Sequence, residues 1–332
     1  MFNSREGVAI AMTQKSREIL RFDPTMTEGE PDDITNDVLR DIFGSRKTQR
    51  KTGIRAVRNE FIESKGDFKS APAPEGDTYQ LIPPSLTSER QRDVWFVSGM
   101  SGSGKSYLSA ELLAMYRKSG QKVFIFTDIP DPKFGDAKYL DIHTFVGIST
   151  TFEEQKQTYE EAKIKFKHRK KMLDDDEDKI ALEIELSRLK PDPSLKKRKE
   201  LKFSQDDINK IFQNSVVLFD DYENNTDIEL ISFLRDTLLT KGRHSHTSLI
   251  ICNHLTNFGR EARLIMAEAS NFVLFRKSTP QSRSYFLKTY LEYEKSHIRM
   301  IQSALKHSRW VSIDRELDVN ISQKTAWVYH SV

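Results

Sequence analysis

The sequence GMSGSGKS, residues 99–106, contains the most specific chemical pattern in the chain. It satisfies G-x-x-x-x-G-K-[ST], in which glycines let backbone N–H groups curve round the phosphates of a nucleotide. The apolar run VWFV at 94–97 precedes it, and leucines at helical spacing follow it. The glycine-rich turn is therefore predicted to lie between a buried strand and the N-terminus of a helix, where it would bind a nucleoside triphosphate.

Within this stretch the roles follow from the side-chain chemistry. Lys105 supplies a point charge to the β- and γ-phosphates, and the Ser106 hydroxyl is suited to hold Mg²⁺. The cofactors predicted from the motif are thus ATP and Mg²⁺. The residues expected to contact the nucleotide are Gly99, Met100, Ser101, Gly102, Ser103, Gly104, Lys105, Ser106 and Tyr107.

A second chemical element is NSVVLFDDYEN, residues 214–224. Its apolar run is typical of a central parallel strand that is covered on both faces, and it ends in Asp220 and Asp221. At the carboxyl end of such a strand, Asp220 is predicted to reach the Mg²⁺ shell. Asp221 is predicted to orient and deprotonate the attacking water, with Glu223 as the reserve candidate for this base.

A third strand, TSLIICN at 247–253, ends in the polar pair Asn253 and His254. We expect Asn253 to sense the γ-phosphate, and His254 to be a neighbour that packs or caps. The predicted strands cover 94–97, 123–127, 216–219, 248–252 and 272–275. Their alternation with helices predicts an α/β P-loop NTPase fold with a mostly parallel central sheet, in which an additional strand separates the nucleotide-binding strands.

Arginines decide whether such a site works alone, because an arginine from a neighbouring subunit can stabilise the transferring phosphoryl group. Arg243 precedes the third strand, and Arg260 and Arg263 follow it. Arg243 and Arg260 are the catalytic candidates, although each is equally suited to an ordinary surface salt bridge. The sequence does not choose between them.

The composition limits the classes of partner. The chain has 332 residues, a formal net charge of +3 and 30% charged residues, so that any nucleic-acid-binding surface must be local. The single cysteine, Cys252, excludes an internal disulfide and fits a reducing compartment. We expect neither a signal peptide nor a transmembrane segment, because the apolar stretches are too short.

Four regions differ in composition. Residues 1–52 are polar and predicted to form a flexible arm, and residues 53–92 a small strand pair with a Pro-rich connection. Residues 93–332 form the ATPase domain, interrupted at about 152–207 by a charged insertion with two predicted helices. The basic clusters of the insertion fit a solvated helical hairpin, a DNA contact or a coiled-coil arm.

The C-terminal segment RWVSIDRELDVNISQKTAWVYH, residues 309–330, alternates apolar and polar residues and predicts a β-hairpin that extends the sheet. One or two amphipathic helices rich in cations are expected before it. These cations are candidates for a pore or a phosphate-contact surface, as opposed to an ordinary solvated face: Arg276, Lys277, Arg283, Lys288, Lys295, Arg299, Lys306 and Arg309.

Together, GMSGSGKS, VVLFDDYEN, the block TKGRHSHTSLIICNHLTNFGREARLIMAEASNFVLF and the C-terminal segment resemble the genome-packaging ATPases of large nucleocytoplasmic DNA viruses. This family is the poxvirus-type branch of the FtsK–HerA superfamily. The resemblance covers about residues 93–332 and is most specific from Gly242 to Phe275. The Asp that follows the Mg²⁺ aspartate and the Asn at the sensor position are those of the packaging branch, where many FtsK–HerA members have Glu and Gln.

The resemblance implies a ring-forming motor, pentameric or hexameric, that uses ATP to move double-stranded DNA into a preassembled capsid. It implies a docking protein on the capsid or inner membrane, and a location in the host cytoplasm at virus assembly sites or in the virion. Two other classes stay open: a P-loop small-molecule kinase, and a scaffold whose charged insertion recruits partners while nucleotide only sets its conformation. A kinase would ignore DNA, and a scaffold would keep its function without Lys105.

Overall fold

The computed structural model describes residues 2–3, 7–23, 70–148, 151–171, 176–190, 199–254 and 260–328. The strands of this part of the chain are β1 (Phe2–Asn3), β2 (Val8–Thr13), β3 (Ile19–Phe22), β4 (Ser70–Pro72), β5 (Tyr79–Leu81), β6 (Val94–Ser98), β7 (Lys122–Phe126), β8 (Lys138–Tyr139), β9 (Val146–Ile148), β10 (Lys199–Leu201), β11 (Ser215–Phe219), β12 (Thr247–Asn253), β13 (Asn271–Phe275), β14 (Trp310–Asp314), β15 (Val319–Ser322) and β16 (Thr325–Val328). The α-helices are α1 (Lys105–Lys118), α2 (Thr151–Lys170), α3 (Asp176–Arg188), α4 (Gln205–Ile211), α5 (Ile228–Lys241), α6 (Arg260–Glu268), α7 (Pro280–Tyr290) and α8 (Lys295–His307).

The main sheet has ten strands in the order β4-β16-β15-β14-β13-β6-β12-β11-β7-β8. The neighbours from β13 to β8 are all parallel. Strand β12 lies between β6 and β11, so that one strand separates the glycine-rich turn from the acidic pair. The mostly parallel α/β sheet with an additional strand, predicted from the sequence, is confirmed.

The other half of the sheet is antiparallel. Strands β13, β14, β15, β16 and β4 pair antiparallel in succession. The predicted C-terminal hairpin is therefore a three-stranded meander, β14 to β16, that widens the sheet beyond β13. The edge of this meander is covered by β4, which pairs with β16 and comes from the segment before the nucleotide-binding core.

Apolar cores lie on both faces of the main sheet, because its central strands bury side chains on each side. One core contains Leu108 and Leu112 of α1 with Trp95 and Ile250 of the sheet. The opposite core gathers side chains from α4 to α8 on the alternate residues of the same strands, among them Phe96. The parallel strands are thereby held between two helical layers, and their carboxyl ends meet at one edge.

The N-terminal residues differ from the flexible arm that composition predicts over 1–52. Strands β1, β3, β2 and β5 form a separate four-stranded antiparallel sheet. Phe2, Ile10, Leu20 and Phe22 are buried in it and belong to the same apolar core as α1. The apolar residues of VAIAMT and ILRF were the available signal, and the polar residues around them obscured it. Residues 24–69, and the rest of that prediction, lie outside the described residues.

The strand pair predicted within 53–92 is also different. Strands β4 and β5 both exist, but β4 pairs with β16 of the main sheet and β5 pairs with β2 of the small sheet. The Pro-rich connection between them thus links two sheets. Non-local pairing of this kind leaves no local trace in the sequence.

The charged insertion contains the two predicted helices, α2 and α3, which contact each other. A short antiparallel ladder between β9 and β10 closes its base, with Ile148 opposite Lys199. Several apolar side chains of the hairpin are exposed, including Ile164 and Ile184. No helix of the described residues combines the length and the apolar character needed to cross a membrane.

Candidate nucleotide-binding site

The glycine-rich turn leaves β6 and enters α1 as the sequence predicts. Gly102 and Gly104 have φ values of 68° and 110°, in the left-handed region that favours glycine. A Cβ atom on Gly99 would lie 2.7 Å from Ser103 Oγ and 2.8 Å from Phe275 Cβ, so that position has room only for glycine. Lys105 is buried, and its Nζ donates a hydrogen bond to the carbonyl oxygen of Gly99 at 2.7 Å. The lysine is therefore held over the turn that would receive the phosphates.

Asp220 lies at the carboxyl end of β11, with its side chain buried. Its backbone nitrogen donates to the Phe126 carbonyl at 3.0 Å. Burial raises the pKa of the Asp220 carboxyl, and a hydrogen bond from Ser106 opposes that shift. Ser106 and Asp220 are thus neighbours across the inserted strand β12, in the relation that binding of a nucleotide-bound cation requires.

These observations decide the fold. The chain has a P-loop NTPase fold. The phosphate-binding turn, the lysine and serine that follow it, and a buried aspartate on the second strand along meet at the carboxyl edge of a parallel sheet.

The acidic end of β11 is suited to Mg²⁺. Asp220 Oδ1 is buried and has no hydrogen-bond partner among the described residues, which leaves an oxygen for a hard cation. No group of three or more His, Cys, Asp and Glu side chains in the described ranges could hold a metal. An ion bound by Ser106 and Asp220 would therefore take its remaining ligands from the nucleotide and water, which is the usual habit of Mg²⁺.

Asp221, Glu223 and Asn253 lie beyond Asp220 at the same edge. Asp221 has a left-handed backbone, with φ of 48°, and its side chain is exposed. Glu223 is half-buried, and its Oε1 accepts a hydrogen bond from the His254 backbone nitrogen at 3.2 Å. The amide nitrogen of Asn253, oriented toward its acceptors, donates to Glu223 Oε1 at 3.0 Å and to Tyr222 Oη at 3.1 Å. The strand end predicted to sense phosphate is thus bonded to the acidic loop.

The surroundings of Glu223 shift the pKa of its carboxyl group. Burial raises the pKa of the Glu223 carboxyl, while the hydrogen bond from His254 and the charge of Lys105 oppose that shift. Because a base with a raised pKa gains proton affinity, Glu223 is chemically as suited to water activation as Asp221. The side chain of His254 has no part in this bond, since only its backbone nitrogen donates.

The sequence did not predict the buried arginine that bonds to Tyr222 beside these acidic residues. Arg235 of α5 is 1% exposed, and its Nη1 donates to Tyr222 Oη at 2.9 Å. Its Nη2 forms an ion pair with Asp236 at 2.7 Å. Tyr222 thus receives hydrogen bonds from Arg235 and from Asn253. The available signal was an arginine inside the otherwise apolar helix sequence ISFLRDTLL.

The arginine candidates lie apart from the phosphate-binding turn. Arg243 is exposed in the 3-10 helix Gly242–Ser245, at the amino end of β12. The seven residues of β12 separate it from Asn253, which corresponds to about 20 Å. Arg243 is therefore far from the site of its own chain. Arg260 begins α6, but its side chain lies outside the described residues, and Arg263 is exposed on the same helix.

Comparisons with known proteins give only distant similarities. No family model matches the chain. An uncharacterised protein of Sputnik virophage, V3, is similar to it, with 24% identity over 265 residues, or 78% of this chain and 79% of that protein. The similarity supplies no activity, because V3 is itself uncharacterised.

The similar solved structures include viral genome-packaging NTPases and a conjugation coupling protein. The genome-packaging NTPase B204 of Sulfolobus turreted icosahedral virus 2, bound to ATP-γS, is 14% identical and has a TM-score of 0.37, covering 70% of this chain and 97% of that one. The DNA-packaging ATPase B204 of Sulfolobus turreted icosahedral virus is 13% identical, with a TM-score of 0.34 over 72% and 98%. The pCW3 conjugation coupling protein TcpA is 12% identical, with a TM-score of 0.36 over 82% and 69%. At these values the function of the chain has to be argued from its own residues.

Proposed function

We propose that this NTPase hydrolyses ATP to translocate double-stranded viral DNA into a capsid. The observation that carries the proposal is the bond between Asn253, at the end of the inserted strand β12, and Glu223 of the acidic loop. In the proposed site it would join the residue that senses the γ-phosphate to a candidate base for the attacking water. Such a connection suits an enzyme that converts hydrolysis into movement. The resemblance of the motifs to those of genome-packaging ATPases indicates that the polymer moved is double-stranded DNA.

The chain's own residues account for the hydrolytic step. Lys105 and the backbone of the turn hold the phosphates, while Ser106 and Asp220 would hold Mg²⁺. The ion would neutralise charge on the phosphates. Asp221 is the proposed base that orients water and takes its proton, with Glu223 as the competing candidate. Asn253 would report loss of the γ-phosphate through its bonds to Glu223 and Tyr222.

Neighbouring copies would complete the site. The proposed motor is a homo-oligomeric ring, pentameric or hexameric, in which Arg243 or Arg260 of one subunit reaches the nucleotide of the next. The separation of Arg243 from its own site by the length of β12 supports a role between subunits. A docking protein on the capsid or inner membrane, and assembly in host cytoplasm, belong to the same proposal.

DNA would be held through its phosphates, without sequence preference. The exposed cations Lys288, Lys295, Arg299 and Lys306 of α7 and α8 are candidates for this contact. Arg283, which the sequence also suggested, is buried, and its Nη1 donates to the carbonyl of Arg276 at 2.9 Å. Its guanidinium is therefore committed to the fold and does not belong to the proposed DNA surface.

The proposal is tested by measuring ATP turnover with and without duplex DNA, together with particle images of the protein bound to duplex and a nonhydrolysable analogue. We expect duplex to stimulate turnover and a closed ring to surround the duplex. Lys105→Ala, which removes the phosphate-binding ammonium, is the matched inactive control. Turnover that ignores the duplex, with phosphate transferred to a small molecule, would instead establish the kinase alternative.

A further inference from the structure

Two cations from the antiparallel half of the sheet border the phosphate-binding turn. A Cβ atom on Gly102 would lie 3.0 Å from Lys277 Nζ, and one on Gly104 would lie 3.2 Å from Arg309 Nη2. Lys277 follows β13 and Arg309 precedes β14, so that neither belongs to the nucleotide-binding motifs. The side of the turn left open by its two left-handed glycines is thus lined by an ammonium and a guanidinium.

The backbone of the sheet holds both residues at this position. The carbonyl oxygen of Lys277 accepts a hydrogen bond from the Met100 nitrogen of the turn at 3.2 Å. The carbonyl of Arg309 accepts from the Arg276 nitrogen at 2.8 Å, and its own nitrogen donates to Gln323 Oε1 at 2.8 Å. Their side chains are exposed. A rigid backbone with accessible cationic side chains is an arrangement suited to an anionic ligand.

The guanidinium of Arg309 also faces α1. Burial raises the pKa of the Glu111 carboxyl, and the charge of Arg309 opposes that shift. Gly104 and Glu111 are seven residues apart, which is two helical turns, so Arg309 is near both ends of one face of α1. The exposed ring of Tyr107 lies on that face between them. Arg309 therefore lies beside the start of α1, next to Gly104.

The order of the strands identifies which end of a nucleotide these cations would meet. Strand β6 lies between β12 and β13. The acidic loop and Asn253 stand on the β12 side, where the γ-phosphate is hydrolysed, whereas Lys277 and Arg309 stand on the β13 side. A triphosphate lying along the turn would therefore present its α- and β-phosphates to these cations.

We propose that Lys277 and Arg309 bind the α- and β-phosphates of the nucleotide in cis. The inference rests on the nucleotide binding of the proposed function and is independent of the polymer. It assigns to nucleotide binding two cations that composition alone grouped with a DNA surface. It also makes the antiparallel extension part of the nucleotide site.

A neighbouring cation supplies a matched control. Arg276 directly precedes Lys277 and is exposed. Its Nη1 donates to the carbonyl of Lys306 at 3.3 Å, at the end of α8. Arg276→Ala thus removes one positive charge close by without removing a side chain that borders the turn.

The experiment measures dissociation constants for ADP and ATP by calorimetry, without DNA, for the full chain. We expect Lys277→Ala and Arg309→Ala each to weaken both nucleotides about tenfold and by equal factors, because the contact is to phosphates that ADP and ATP share. Arg309→Lys should keep most of the affinity, and the control Arg276→Ala should stay within about twofold of the parent chain. Unchanged melting temperatures show that the variants fold.

Unchanged ADP affinity in both alanine variants would overturn the inference, as would a loss confined to ATP, which would assign the cations to the γ-phosphate. An equal loss of affinity in Arg276→Ala would show that the effect is one of net charge, and would overturn the inference as well. Failure of the proposed motor would give a different result from failure of this inference. ADP affinity would still depend on Lys277 and Arg309, but duplex DNA would leave ATP turnover unchanged.

Discussion

Three carboxylates meet at the end of β11, and each has a different environment. Asp220 is buried beside Ser106, Asp221 is exposed on a left-handed backbone, and Glu223 is half-buried and bonded by Asn253. Differences of this kind separate a cation ligand from a base. Asp221 and Glu223 are the two proposed candidates for the base, and substitutions that keep the shape of the side chain can distinguish them.

We expect Asp221→Asn to bind ATP and to lower the hydrolysis rate at saturating ATP by about 100-fold or more, because an amide cannot accept the proton of water. Glu223→Gln keeps the acceptor oxygen that His254 and Asn253 use, so a smaller loss is expected. Single-turnover phosphate release, with nucleotide binding measured in parallel, checks both. Unchanged turnover in Asp221→Asn, with a large loss in Glu223→Gln, would transfer the role of base to Glu223.

At this scale the sequence predicts residues that are consecutive in a motif and misses those that depend on neighbouring strands. Lys105, Ser106 and Asp220 could be named because fixed spacing follows a strand end. The bond of Asn253 to Glu223 could not, since it joins two strands whose order is set by the sheet. Lys277 appeared only as one of many cations, because nothing in its local sequence indicates that β13 lies beside β6.

At the scale of elements, His297 joins α8 to the antiparallel extension. Its side chain is buried, and its ring stacks on Tyr293 with centroids 4.2 Å apart. The Nδ2 atom of Asn320, in β15, lies 3.3 Å from the Nε2 atom of His297. Burial lowers the pKa of His297 to about 3. The imidazole is therefore neutral in the folded chain at pH values where an unfolded histidine takes up a proton.

The sign of the pH effect follows from this difference. Because the unfolded chain binds a proton at a pKa of about 6.5 and the folded chain does so only near 3, lowering the pH between these values favours unfolding. We expect His297 to lower the free energy of unfolding by up to about 1.4 kcal/mol per pH unit in that range. Urea unfolding of the parent chain and of His297→Phe, between pH 7 and 4, measures the difference in slope. Parallel curves would show that the histidine is protonated within the fold.

The elements themselves were predicted with unequal success. The five strands predicted from the sequence are all present in the parallel half of the sheet, because each is a continuous apolar run that can only be buried on both faces. The strands of the small N-terminal sheet escaped prediction because they are short and flanked by polar residues, and β4 and β5 pair with strands more than 60 residues away. Strand partners far apart in the chain are set by the burial of a shared core and leave no periodic signal.

At the scale of the whole molecule, the carboxyl edge of the sheet holds the nucleotide residues and the amino edge holds Arg243. One chain therefore cannot bring Arg243 to its own phosphates, since β12 spans the distance between them. In the proposed ring every subunit would present one edge to the next, so that Arg243 of one copy would meet the nucleotide residues of its neighbour.

Mixing two inactive variants tests that arrangement. Arg243→Ala keeps the nucleotide-binding residues but lacks the arginine that would reach the neighbouring subunit. Lys105→Ala keeps that arginine but lacks the phosphate-binding ammonium. Each alone should be nearly inactive, since removal of such an arginine costs about 1,000-fold or more in rate. In a mixed ring, a Lys105→Ala subunit supplies Arg243 to the intact site of its neighbour, so part of the ATP turnover should return and follow the mixing ratio. Lys241→Ala, which removes an exposed cation from the end of α5, is the matched control and should remain active. Turnover that stays absent at every ratio, although the variants co-assemble, would exclude Arg243 and leave Arg260 as the candidate.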